Sequence, residues 1–293
     1  MKKEGDRHHY LPRFYLKQWT NPEGKLCEFR REHKQIRHRM TSTKGTGYVR
    51  GLYTFDGLPP EAADFLEKKF LMQADAHASE ALDQLLAYKV DLVEPHKSAW
   101  SRFLMTLIHR NQEAIARLRR LVIDGLPSGL EDYRPLWEAT QSTTGPLNFE
   151  EFKDGFTKRN TQRVTQTFLR MIMDGETVGR LLNSMEKAVL TFTRSRYSLL
   201  TSDRPYVMTN GIGREDGHIV VPISPTTIFI AARNQKTMRL ILDTCNNGSM
   251  RMDERLNDIV AKQSHRFVYA TDAAQLSFVS TRLGQKQKST PMG

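Results

Sequence analysis

The segment TFTRSRYSLLTSDRPYVMTNGIGREDGHIVVPISPTTIFIAA, residues 191–232, marks a change of rhythm in the chain. Residues 191–200 are rich in β-branched and aromatic side chains, and 206–209, 218–221 and 227–232 are short apolar runs. Gly, Pro, Asp and Asn bound these runs, which predicts strands joined by turns. Further on, 252–264 predicts a helix with Leu256, Ile259 and Val260 inward, and 267–270 predicts a last strand.

Upstream the spacing is helical. Phe65, Phe70, Ala74, Ala78, Ala81, Leu82 and Leu85 recur three to four residues apart and predict a helix to about Ala87, opened by Pro59 and Pro60. Trp100, Phe103, Leu104, Leu107, Ile108, Ile115, Leu118 and Val122 predict one long helix over 95–124, ended by Gly125, Pro127 and Gly129. Residues 126–148 are turn-rich, and a third helical stretch over 161–190 breaks near Asp174 and Gly175.

Near the beginning, 25–31 alternates as a strand does, with 35–40 as its expected partner. The order strands, helices, strands implies an α+β fold: N-terminal and C-terminal strands, in one mixed sheet if the two ends meet, with a central helical layer. The expected organisation is one domain over 8–275, divided into a basic strand segment (8–55), a helical middle (59–190) and C-terminal strands plus helix (191–275). Residues 1–7 and 280–293 are expected to be flexible ends.

The 293 residues carry a formal net charge of +11, unevenly spread. Residues 1–50 hold 13 Lys and Arg against 5 Asp and Glu, whereas 51–100 hold 4 against 9. The basic segment is a footprint for phosphates, or it packs against the acidic one or is merely solvated. Cys27 and Cys245 form no CxxC pair or disulfide framework. No apolar run approaches the roughly 18 residues of a membrane helix, and residues 1–10 lack a signal-peptide core. The expectation is a cytoplasmic protein with no membrane partner.

Three polar clusters stand out. In His8-His9-Tyr10-Leu11-Pro12-Arg13-Phe14-Tyr15, paired imidazoles beside Tyr and Arg supply acid/base groups, metal ligands or phosphate contacts, unless the aromatics are core and one His packs among them. On an extended chain His8 and His9 point to opposite faces. Ser202-Asp203-Arg204-Pro205 puts an acid at a strand end, a catalytic position or a side-chain-bonded turn. In the long helix Asn111 falls at the centre of the apolar face and Arg110 at its edge, while His109 points to the solvated side. His9, Asn21 and His33 stand in the order of a His-Asn-His nuclease, but His33 lies at a strand end or turn and not on a helix, so the match reads as chance. Phosphate-cradling Gly loops, nucleophile elbows, zinc spacings and HExxH are all absent.

The order of these clusters resembles the bacterial domain-of-unknown-function family 4238 (DUF4238). The likeness rests on HHYLPRFYL at 8–16, Leu52-Tyr53-Thr54, a helix ending at Arg110, Ser202-Asp203-Arg204-Pro205, Pro222-Ile223-Ser224-Pro225, and Asn257 on a helix before an aromatic strand. The resemblance spans about 8–270 and implies that the clusters belong to one domain. It implies no activity.

The leading expectation is a nucleic-acid-directed, nuclease-like hydrolase. His9 and His8 would act as base or metal ligand, Asp203 as metal ligand or orienter and Arg110 as phosphate clamp, with a divalent metal as the cofactor such chemistry would use. Tyr10, Arg13, Tyr15, Asn111, Ser202 and Asn257 would bind or support. The alternative is a non-catalytic RNA- or DNA-binding or protein-interaction module, with Tyr10, Arg13, Phe14, Tyr15, Lys17 and Trp19 stacking on bases and contacting phosphates.

Overall fold

The computed structural model describes residues 7–52, 71–140, 145–146, 148–193, 197–209, 211–246 and 251–286. Strand β1 (Arg7–His9) leads into a one-turn helix α1 (Arg13–Leu16) and a 3-10 turn (Lys17–Trp19). β2 (Lys25–Glu32), β3 (Gln35–Ser42) and β4 (Tyr48–Arg50) follow. The helical centre comprises α2 (Met72–Leu86), α3 (His96–His109), α4 (Gln112–Glu131), α5 (Arg134–Ala139), α6 (Phe149–Met173) and α7 (Glu176–Ser184). Last come β5 (Glu186–Thr191), β6 (Thr201–Ser202), β7 (Val207–Thr209), β8 (His218–Pro222), β9 (Thr227–Ala232), α8 (Gln235–Asn246), α9 (Met252–Gln263), β10 (Phe267–Ala270) and α10 (Leu276–Ser280). The fold is α+β.

The two ends of the chain meet in one sheet of order β3-β2-β10-β6. β10 is antiparallel to both β2 and β6, so the sheet is antiparallel rather than mixed. A second four-stranded sheet has the order β5-β9-β8-β7, and β1 pairs with β4. All six residues of β9 are buried because both faces of its sheet are covered. Phe229 and Ala231 join the core shared with the helices, while Ile228, Ile230 and Ala232 join a second core with α8, α9 and α10.

The expected core role of the aromatic N-terminal stretch holds for Tyr15 and Trp19, both fully buried. Tyr15 Oη donates to the Pro222 carbonyl at 2.8 Å and lies 2.7 Å from Thr201 Oγ1. Trp19 Nε1 donates to the Leu199 carbonyl at 2.8 Å. α1 is thereby pinned to both C-terminal sheets.

Several boundaries differ from the sequence reading. The helix expected over 95–124 is two helices, because Asn111 adopts an extended conformation and caps α4: its Oδ1 accepts from Ala114 N and its Nδ2 donates to the Ile108 carbonyl, both at 2.9 Å. The bend leaves His109 buried instead of solvated. α4 continues past Gly125 and Pro127 to Glu131, since Val122 and Leu130 keep it packed below. Asn148 caps α6, so the turn-rich stretch is shorter than expected. Residues 186–190 form a strand instead of helix, where pairing with β9 overrides an ambiguous apolar run. α8 is an element the sequence reading lacks.

The tail, expected to be mobile from Ser280, is anchored as far as Lys286. Leu283 is buried, Gly284 N donates to the Ala261 carbonyl and Lys286 N to the Lys262 carbonyl. Residues 1–6 and 287–293 lie outside the described residues, as do Tyr53, Thr54 and the start of the first expected helix. No helix among the described residues is long and apolar enough to cross a membrane.

Candidate nucleic-acid interface

β1 places the two histidines on opposite faces, as period-two geometry requires: His8 is buried and His9 half-buried. Burial, followed by the charges of Arg110 and Arg13, pushes the His9 imidazole down to about 4, while a hydrogen bond to the Thr43 carbonyl acts the other way. Its Nε2 is shielded from solvent and has no partner among the described residues, which by elimination assigns the Thr43 bond to Nδ1. At neutral pH His9 is therefore an uncharged ring with Nδ1–H fixed and the Nε2 lone pair unused. Arg110, 1% exposed, caps α3 and forms an ion pair with Asp75 at 3.2 Å. Tyr48 packs against the His9 ring at 5.6 Å, with the Arg7 guanidinium 5.0 Å from the Tyr48 centroid.

Asp203 is differently employed. Its carboxylate accepts the backbone N–H groups of His265 at 2.8 Å, Arg266 at 2.6 Å and Phe267 at 3.1 Å. Burial pushes this carboxyl up, and those three N–H groups oppose the shift. Ser202 Oγ accepts from Arg204 N at 3.1 Å, and Arg204, itself buried, forms an ion pair with Glu113 in the first turn of α4. The Ser202–Arg204 turn thus fastens β6, β10 and α4 together.

Tyr10 Oη lies 3.5 Å from Tyr269 Oη, and Thr46 Oγ1 lies 3.0 Å from the latter. Thr46 also bonds the buried Glu28, whose carboxylate takes Arg39 Nε at 2.7 Å. Burial raises both tyrosines far above the range in which they ionise in water. Tyr10, Asn111, Asp203 and Phe267 line one small cleft of about 90 Å³, along with Tyr48, Gln112, Glu113, Arg204, His265 and Arg266.

Beside the cleft, the sheet presents rungs of mixed character. Arg37, Arg30 and Phe267 lie in register across β3, β2 and β10, and Arg39, Glu28 and Tyr269 form the next rung on the same face. Arg266 sits 5.6 Å from the centroid of the half-buried Phe267. Arg37, Arg39 and Arg266 are exposed. In the second rung Glu28 and Tyr269 are buried and Arg39 is paired with Glu28, so the exposed part of this face is Arg37, Arg39 and the edge of Phe267, which with Arg266 also lines the cleft.

The family comparison covers residues 7–274, nearly all of these elements, and matches "Protein of unknown function (DUF4238)". The chain belongs to the DUF4238 family. No curated protein and no solved structure matches it.

In this DUF4238 chain His9 and Arg110 are electrostatic neighbours, and Tyr10, Asn111 and Asp203 share the cleft. Arg13 is exposed and its charge acts on His9. Two sequence candidates lie elsewhere: Tyr15 in the core, and Asn257 beneath 198–200, where it accepts from Leu200 N at 2.7 Å and donates to the Ser198 carbonyl at 2.9 Å. Asn21 and His33 are turn residues: Asn21 Oδ1 accepts from Glu23 N and Lys25 N, and His33 turns the β2–β3 hairpin at φ 55°. The sequence reading passed over Glu28, Thr46, Tyr48, Phe267 and Tyr269. Only the basic and aromatic composition of the two ends signalled them, because the contacts that draw them together, Thr46 and Tyr10 to Tyr269, join residues more than 200 positions apart.

Proposed function

We propose that this DUF4238 protein binds single-stranded nucleic acid along the face formed by β3, β2 and β10 and the adjoining cleft. The observation that carries the reading is the Arg37–Arg30–Phe267 rung, with Arg266 at the ring and Tyr48 and Arg7 at the cleft edge. Guanidinium groups track a phosphate backbone, and half-buried rings offer surfaces for bases. Arg30 is paired with Glu32, while Arg37 has no acidic side chain among the described residues, so an anion laid across the two would stabilise them. The test is fluorescence anisotropy with labelled RNA and single-stranded DNA at several salt concentrations. Affinity should fall steeply with salt and fall further in a Phe267→Ala variant.

A second reading, hydrolysis of the bound strand, rests on His9. A neutral imidazole with its Nδ1 proton fixed and its Nε2 unused stands close to Arg110 and Arg13, and would accept a proton from water or a ribose hydroxyl near a phosphate if strand binding uncovers the shielded Nε2. Asp203 does not serve as base in this reading, since three backbone donors occupy its carboxylate. Cleavage by the wild type with and without Mg²⁺ or Mn²⁺, abolished in His9→Ala, would support it. Equal cleavage by both would remove His9 from the chemistry.

A further inference from the structure

Away from the basic face, two imidazoles converge on one carboxylate. His77 and Glu80 stand three residues apart on α2 and so share a helix face. His96 is the first residue of α3, brought back beside them by the 87–95 connection. Glu80 Oε2 lies 2.7 Å from His96 Nε2 and 3.5 Å from His77 Nδ1. The three donor atoms all fall within 4.8 Å of one another.

The geometry points to a mononuclear site for a divalent transition-metal ion of the Zn²⁺ class, held by His77 Nδ1, Glu80 Oε2 and His96 Nε2 with a fourth position open to solvent. Tetrahedral zinc with bonds of about 2.0–2.1 Å sets neighbouring donor atoms about 3.3 Å apart. The His77–Glu80 separation already suits that spacing, and the His96–Glu80 pair opens by only about 0.6 Å to meet it. Two imidazoles with one carboxylate select Zn²⁺, Co²⁺ or Ni²⁺ over Mg²⁺ and Ca²⁺, which take oxygen ligands.

A supporting group is also in place. Gln84 Nε2 sits 3.1 Å from His96 Nδ1, on the ring nitrogen that the ion would not use. An ion at Nε2 requires the ring proton on Nδ1, where the Gln84 amide, rotated to present Oε1, accepts it. Such a partner fixes the orientation of a metal-bound imidazole. His77 and Glu80 are exposed, and His77 lines a broad surface cleft, so an ion has a path to the site.

The test uses the full chain, freed of metal by a chelator, with Co²⁺ as a visible probe. One equivalent should give the absorption bands of a tetrahedral site, and added Zn²⁺ should displace it. Zn²⁺ should also raise the melting temperature of the wild type. His77→Ala and Glu80→Gln, both surface substitutions, should lose the bands and weaken binding by more than the ~10–100-fold typical of losing a supporting partner. Gln84→Ala should weaken it within that range, and His9→Ala should leave it unchanged. Circular dichroism confirms that each variant folds. Absence of tetrahedral bands in the wild type, or bands that persist in both His77→Ala and Glu80→Gln, would overturn the assignment.

Discussion

Arg30 and Arg37 lie directly opposite each other on the β2–β3 hairpin, and among the described residues Arg30 alone of the two has an acidic partner, Glu32. Like charges in register destabilise a strand pair by roughly 0.2–1 kcal/mol. Arg37→Ala should therefore leave stability unchanged or slightly raised. The same change should reduce the slope of log affinity against log salt by about 0.7 for a single-stranded oligonucleotide. Denaturant melts and a salt series read the two effects separately.

Asp203 holds three backbone N–H groups ahead of β10. Asp203→Asn removes the charge and turns one accepting atom into a donor. Hydrogen bonds to a charged group contribute about 1.5–3 kcal/mol, so the variant should lose stability of that order. Below its melting transition it should still bind. Loss of binding or cleavage with wild-type stability would give the carboxylate a direct chemical role instead.

Tyr15→Phe keeps the ring in its buried place but removes the hydroxyl between Thr201 and Pro222. The orphaned Pro222 carbonyl should cost about 1–3 kcal/mol. The effect should appear as a lower urea midpoint with an unchanged m-value, because α1 stays docked. A fall in m would mean that the N-terminal helix detaches.

Burial pushes the His109 imidazole down to about 4, as burial and neighbouring arginines do for His9. Between the ordinary value of 6.5 and about 4, the unfolded chain binds protons that the folded chain does not. Stability is therefore full above pH 6.5 and falls as pH drops through that window, by at most about 1.4 kcal/mol per pH unit for each group. His109→Gln, neutral throughout, should flatten the dependence measured from urea midpoints between pH 4 and 7. An unaltered slope would place the linkage elsewhere.

The α+β order was legible because it is written in local pattern: period two at 25–31, short apolar runs bounded by turn residues at 206–209, 218–221 and 227–232, and three-to-four spacing from Ala74 to Val122. Whether the chain ends meet was not legible, because the pairing of β2 with β10 joins residues more than 200 positions apart. The break at Arg110 was not legible as a break. Asn111 registered as a polar intrusion on an apolar face, and a cap inside a continuous hydrophobic stripe looks the same until the chain bends. Residues 186–190 are apolar enough for either period, and their partner in β9 lies some forty residues on. At the candidate site, His9 and Arg110 were visible as residue types. The exposed rung could not be seen, because it joins Arg37 and Arg30 to Phe267 through a register set by the whole sheet.

The most direct measurement is the affinity of the full chain for a labelled single-stranded oligonucleotide, compared with the double variant Arg37→Ala, Phe267→Ala across a salt series. The proposed function predicts salt-sensitive binding by the wild type, much weaker in the variant and with a shallower slope. Binding that ignores salt, or that the variant retains unchanged, would contradict it.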